Sequence, residues 1–501
     1  MINSFDAWTE PWITIEKTDG KALQAGIFDT LKDSHNIRAI RAATPTETFG
    51  ILRLLITVII DIYRPEIWKD IEKIRSGGKF NHLELEDYYN NCLKEGASFD
   101  LFDQKRPFLQ YAFKDIKKED IKPSANLFDQ LPTGNNVPHF VHKSQYSYAF
   151  TPQRCLQALC AIPFYEKHKR GKKVTTGING IPPIYFLHNG DTLFETLTAS
   201  LICKAQYAEN NYGKPIWRDS DCFNMPKSAT PDLLHGLFSS PLKIKLIPSD
   251  DNLIRDIYYE QGIDYKDTIW TDPHVAYSFN IKKDNKKDTL KAKNNRAVWR
   301  DLPVIINPDA IKILFDWRKR KINNCLTAYV KLCELKGTVF MPVTQFTEEL
   351  KIPVELLDDE LKRDCYCKAV SVSDRIANEC AKVLKSKFKD VKKKTNPYAA
   401  ILSDIFLEVF LSEIKEIFDS SLIALLNNAD TDTHDWEEKI NEFLSKKFRD
   451  AVNIALNSAL NTVSNENADT LILKTKLRNK VYKKSNYLLK SGGYTHDNAN
   501  N

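Results

Sequence analysis

The chain opens with alternation: Trp12-Ile-Thr-Ile-Glu16 sets apolar and polar side chains on opposite sides of an extended backbone and predicts a strand. The period then changes. Thr44-Pro45-Thr46-Glu47 combines a capping hydroxyl, a proline suited to the first helical turn and a glutamate placed to complete a capping box. Behind it Leu52, Leu55, Ile56, Ile59 and Ile60 recur at helical spacing. The same grammar returns at Thr151-Pro152, ahead of Leu156, Leu159 and Ile162. Asn307-Pro308-Asp309 repeats it and predicts a long helix from Ile311 towards Gly337. Between these runs, Pro183-Ile-Tyr-Phe-Leu187 reads as a strand ending at the turn His188-Asn189-Gly190, and Leu242-Lys-Ile-Lys-Leu-Ile-Pro248 alternates as a strand should. Lys282 to Arg296 reads as a polar hairpin or loop, with seven basic residues against two aspartates.

From about Asp358 the pattern is helical throughout. Glycine is absent until Gly492, and Pro397 is the sole proline of this stretch. Four helices are expected, near 359–387, 397–426, 433–463 and 466–489, joined by polar turns such as Asn427 to Asp432. The fold class predicted is α+β: a large mixed domain over 1–357, an antiparallel four-helix bundle over 358–490, and a disordered tail over 491–501.

Composition narrows the function classes. At 501 residues the chain exceeds one ordinary core. Its net charge of +6 permits a polyanionic partner without demanding one, so the distribution of cations matters more than their total. The start of the sequence lacks the pattern of a signal peptide, and the apolar run Phe49 to Ile62 is too short for a bilayer and contains Arg53. Ten cysteines follow no disulfide rhythm, and Cys365-Tyr-Cys367, the closest pair, lacks zinc spacing. A reduced, cytoplasmic protein with no metal and no cofactor is expected.

No phosphate-cradling loop, dinucleotide fingerprint, zinc-protease helix or nucleophile elbow is written in the chain. His139 and His142 are three apart but sit beside Pro138, in a loop context that suits solvated or stacking imidazoles better than ligands. Basic clusters are the clearer signal. Lys167-His-Lys-Arg-Gly-Lys-Lys173 holds five cations and a glycine, a composition that neutralises phosphates and lets backbone approach a groove. A solvated loop after a helix C-terminus accounts for it equally well. Lys385 to Lys394, and Lys474 to Lys490 with Tyr482 and Tyr487, are two further clusters. Three such clusters without a catalytic motif tilt the reading towards nucleic acid.

Several short motifs, in their order, resemble the CasA family, the large subunit of the type I-E CRISPR complex called Cascade. They are Trp12-Ile, the capped helix from Thr44, Phe99-Asp-Leu-Phe, Arg106-Pro-Phe-Leu-Gln110, Phe140-Val, Phe150-Thr-Pro and Thr176-Gly-Ile-Asn-Gly-Ile-Pro-Pro. Trp270-Thr-Asp-Pro-His274 and Trp299-Arg-Asp-Leu302 follow. Each motif is loose, and the order is the specific part.

The resemblance implies a subunit that reads the protospacer-adjacent motif in double-stranded DNA, largely from the minor groove, opens the duplex beside it, and docks a helicase-nuclease. Guide pairing would supply sequence specificity. Partners would be the other Cascade subunits, the CRISPR guide RNA, target DNA and that effector, with no membrane. Position by position, the family's groove loop falls on Lys169, Arg170, Gly171, Lys172 and Lys173, with Asn179 in the following turn and Lys266 as a poor match to the groove-facing lysine. The duplex wedge falls on Leu332, Cys333, Glu334, Leu335 and Lys336, where the family's Asn-Gln pair is missing. The contact to the RNA end falls on Phe140, His142 and Lys143. A nucleic-acid-processing enzyme with a dispersed active site, and a purely structural interaction subunit, are the rival readings.

Overall fold

The computed structural model describes residues 4–128, 131, 148–165, 177–207, 211–224, 230–265, 268–280, 286–294, 296–307, 325–336, 339–385, 398–431, 433, 435–464 and 468–494. The chain forms two compact units: 1–298 with 307–350, and 299–306 with 351–501.

The first unit is mixed. Ile13–Lys17 lies between Ala22–Ala25 and Ile37–Ile40 in an antiparallel sheet, with Ile15 opposite both Leu23 and Ile40. The helix Pro45–Tyr63 begins on Thr44, whose hydroxyl accepts from the Glu47 amide at 3.3 Å. It is buried from Phe49 through Asp61, which explains why its sequence is apolar on nearly every side. Gly50 allows close contact with the helix Pro152–Tyr165: a Cβ there would lie 2.2 Å from the Cys160 carbonyl oxygen. Two further antiparallel arrangements follow the alternating segments. Leu242–Pro248 pairs with Ile254–Gln261, and Tyr277–Asn280 pairs with Lys286–Thr289 within the basic stretch expected as a hairpin or loop.

One element departs from the sequence reading. Cys325–Lys336 is a strand, not the end of a helix from Ile311; residues 308–324 lie outside the described residues. It joins Val339–Lys351 on one side and Tyr185–His188 on the other, with Tyr329 opposite Tyr185 and Leu326 opposite His188. Thr327, Tyr329 and Val330 suit a pleated surface, and pairing with Tyr185–His188 overrides the apparent helical spacing of the leucines.

The second unit is a helical bundle. Its helices are Glu360–Lys385, Ala399–Glu416, Trp436–Asn461 and Ala468–Ser491. The second runs on through one wide turn, Ile417–Ser421, into Leu422–Asn428. The first and third helices each pack against the second and the fourth. The fourth runs antiparallel to the third, since Arg478 meets Asn457 and Tyr482 meets Asn453, at 2.9 and 2.6 Å. Phe406, Phe410, Leu444, Phe448, Leu477 and Val481 fill the interior. Trp299 and Arg300 belong to this unit: the indole packs edge-on against Phe418, and the guanidinium bonds Asp374 at 2.6 Å. The packed chain also runs past the point where a loose tail was expected. Tyr494 is buried, and its carbonyl oxygen accepts from the Ser445 hydroxyl at 3.2 Å.

Candidate nucleic-acid interface

In the first unit, two polar assemblies hold the described parts of the candidate interface. The first surrounds Arg53. Side chains of Arg53 and Asp272 are both fully buried and meet at 2.8 Å. A charge so placed requires partners on every side, because desolvation costs several kcal/mol per ion. Arg53 also donates to the Leu237 carbonyl oxygen at 2.9 Å and to Nδ1 of His274. A guanidinium can only donate, so that imidazole nitrogen is the acceptor. The other ring nitrogen of His274, Nε2, faces the Ser200 carbonyl oxygen at 2.8 Å. The Asp272 carboxylate takes further bonds from the His274 amide at 2.9 Å and from Asn179 Nδ2 at 2.9 Å.

Asn179 thus has an internal task. Its amide nitrogen also reaches the Tyr185 hydroxyl at 3.2 Å, tying the turn Gly177–Gly180 to the buried ion pair. The structure adds to the expectation of a DNA-contacting Asn179 a second task, the positioning of its own turn. Gly177 sits where a Cβ would lie 2.7 Å from the Pro163 carbonyl oxygen, and Gly180 has φ +73°, so both glycines are demanded by geometry.

The second assembly lies at the root of the hairpin Cys325–Lys336 and Val339–Lys351. Lys331 is 6% exposed in the middle of its strand, and its ammonium donates to the Tyr165 carbonyl oxygen at 2.8 Å. Tyr165 is the last described residue of the helix Pro152–Tyr165, and a cation beside a carbonyl oxygen in the C-terminal part of a helix is favoured by the dipole. Across the hairpin, Gln345 Oε1 accepts from the Thr46 hydroxyl at 2.8 Å. Glu47, nearby, is held by Arg154 at 2.7 Å; burial nevertheless raises its carboxyl pKa, against the lowering effect of that arginine.

The expected wedge residues divide along this strand. Leu332 is buried and belongs to the packing of the sheet, so it cannot be a separating side chain. On a helix Leu332 and Leu335 would share a face; the strand removes that relation, because its period is two. Cys333 is half-buried, and Glu334 accepts from Asn294 at 2.8 Å. The backbone of Leu335 and Lys336 ends the strand. Lys169, Arg170, Gly171, Lys172, Lys173, Lys266, Phe140, His142 and Lys143 all lie outside the described residues.

Other motif residues prove to be scaffold. Gln110 donates to the Leu101 carbonyl oxygen and accepts from the Leu246 amide, both at 2.7 Å, while Phe108 lies between Phe99 and Trp217. Among the described residues no group of three or more His, Cys, Asp or Glu could hold a metal. Burial pushes the thiols of Cys365 and Cys367 up to about 11 and about 12, so both stay protonated at neutral pH. Sequence reading overlooked Lys331, and the signal available was a lysine between Val330 and Leu332 in an otherwise apolar run. Arg53 was visible as the charge inside a greasy helix, but its partners in Trp270 to His274 were not.

Comparison with known proteins places the chain. The family model described as CRISPR-associated protein Cse1 matches residues 6–452. The CRISPR-associated protein CasA/Cse1 of Thermus thermophilus is 25% identical over 325 residues, which is 61% of this chain and 61% of that protein. A crystal structure of Thermus thermophilus CasA superposes with a TM-score of 0.74 at 19% identity, covering 98% of this chain and 100% of the other. Thermobifida fusca Cse1 gives 0.72 at 15% identity, over 97% and 98% of the two chains. A chain of a CRISPR RNA-guided surveillance complex gives 0.70 at 14% identity, over 96% and 99%.

Proposed function

We propose that this chain, which belongs to the CRISPR-associated protein Cse1 family, is the large subunit of a type I-E CRISPR RNA-guided surveillance complex. In that role it reads the protospacer-adjacent motif in double-stranded DNA, helps to open the duplex for R-loop formation, and recruits a helicase-nuclease in antiviral defence. Its partners are the other subunits, the guide RNA and the target duplex, and the work is done in the cytoplasm. Among the described residues no helix is long and apolar enough to cross a membrane.

The observation that carries the reading is the hairpin. Two long strands, Cys325–Lys336 and Val339–Lys351, share a root with the helix end at Tyr165, from which the chain runs directly into its densest basic segment. A two-stranded arm in a chain that also carries a cationic segment suits a protein that must hold phosphates and enter a base step. An inserted group has to replace stacking on the order of 1.4 kcal/mol per base-pair step. The arm's end, Leu335 and Lys336, takes the separating role in place of the buried Leu332. Lys169, Arg170, Lys172 and Lys173 hold the duplex backbone, and Phe140, His142 and Lys143 meet the RNA end. No step here needs a catalytic side chain of this subunit.

The test uses the assembled complex. Replacing Leu335 and Lys336 with Gly-Ser should slow R-loop formation on a fully paired target and spare a target already opened beside the motif. Equal loss on both targets would make the arm a general contact. The isolated subunit, given magnesium or manganese, should leave duplex and single-stranded DNA intact; cleavage abolished by one Asp or Glu substitution would instead support a nucleic-acid enzyme.

A further inference from the structure

Lysine in the middle of a buried strand needs a reason. Val330 is fully buried and Leu332 nearly so, and an apolar side chain at position 331 would satisfy packing without desolvating an ammonium. Lys331 instead sends its charge across to another element and bonds the Tyr165 carbonyl oxygen of the helix Pro152–Tyr165 at 2.8 Å. Beside it, the Tyr165 hydroxyl reaches back to the Tyr329 carbonyl oxygen at 3.4 Å. The second strand is held as well, by the 2.8 Å bond from Thr46 to Gln345. Lys331, Gln345, Tyr165, Thr46 and Glu47 all line one small, partly open pocket, so the two bonds form a single polar joint.

This joint sits partway along the arm. Five residues follow Lys331 to the end of its strand, a reach of about 17 Å at the rise of an extended chain. A small change of angle at the root is thereby magnified at Leu335 and Lys336.

We infer that Lys331 and Gln345 are positioning residues that fix the hairpin arm to the helices Pro152–Tyr165 and Pro45–Tyr63, so that the arm meets DNA in one orientation. This rests on the proposed role of the arm in opening the duplex. Neither residue touches DNA in this scheme. Their contribution is preorganisation: an arm held at one angle at its root loses less freedom on engaging a duplex than a loosely held one.

The experiment compares Lys331→Met, which keeps the stem and removes the donor, with Gln345→Met at the half-buried second contact. Each is assembled into the full complex and followed for R-loop formation on a fully paired target and on one with a bubble beside the motif. Lys331→Met should slow opening of the paired target by about tenfold, the scale of one charge-assisted hydrogen bond. Gln345→Met should slow it by a few-fold, the scale of a neutral bond. The bubble target should form its R-loop at the unaltered rate with both, and both complexes should keep the thermal midpoint within a few degrees.

Unchanged opening of the paired target in both variants overturns the inference, as does equal loss on the two targets. If Lys331→Met fails to assemble, Gln345→Met alone decides between these outcomes. The Gly-Ser replacement of Leu335 and Lys336 separates the two levels. If that variant opens duplex normally, the role of the arm fails. If it is impaired while both root variants are normal, only the joint fails.

Discussion

Single residues in this chain are held chiefly by burial, and burial has a pH signature. His235 is 5% exposed, with Nε2 and the Tyr265 hydroxyl 2.8 Å apart. Desolvation lowers its pKa from 6.5 to about 4, and Asp219 only partly opposes that shift. The folded state therefore keeps His235 neutral where the unfolded chain would protonate it. The resulting stability is fully present above pH 6.5 and is lost as pH falls from there towards about 4. The span corresponds to about 3 kcal/mol. A His235→Phe variant should show a flatter decline of thermal midpoint over that window, whatever its stability at pH 8. An unaltered pH slope would mean that His235 is protonated without cost in the fold.

At the scale of elements, the two long helices of the first unit depend on a close approach that their sequence conceals. A Cβ at position 50 would lie 2.2 Å from one backbone oxygen and 2.5 Å from its carbon, neither of which belongs to a flexible side chain. Gly50→Ala should lower stability by about 1–3 kcal/mol through overpacking, outweighing the better helix propensity of alanine. Chemical denaturation that shows a gain instead would mean that the helices separate easily. What was legible follows from the same physics. Thr44 and Pro45 mark a helix start because capping is local, and the bundle was readable because its apolar positions repeat over whole helices. Cys325–Lys336 was misread because a short apolar run suits either period, and its partner strand Tyr185–His188 is far away in sequence. The internal bond of Asn179 was hidden for a related reason: its partner Asp272 is 93 residues distant.

For the molecule as a whole, the decisive quantity is where charge lies. A net charge of +6 over 501 residues gives little general attraction to DNA, so binding that depends on phosphates has to come from local segments. Many cations of the described residues are already committed to the fold. Arg53 serves Asp272, Arg300 serves Asp374, Arg218 serves Asp61 and Glu95, and Lys331 serves the Tyr165 carbonyl oxygen. Counting Lys and Arg therefore overstates the charge available to a duplex. The segment Lys167 to Lys173 has no carboxylate within it to neutralise it. Replacing Lys169, Arg170, Lys172 and Lys173 together with alanine should weaken target binding by the assembled complex and flatten its dependence on salt. Each phosphate contact contributes about 0.9 to the slope of log K against log salt, so losing four contacts reduces it by about 3–4. Titration at several salt concentrations measures that slope directly, and it separates phosphate contacts from structural damage. A folding defect lowers the active fraction and leaves the slope as it was. An unchanged slope with reduced binding would therefore remove the basic segment from the interface and leave the hairpin arm as the chief DNA-facing element of this unit.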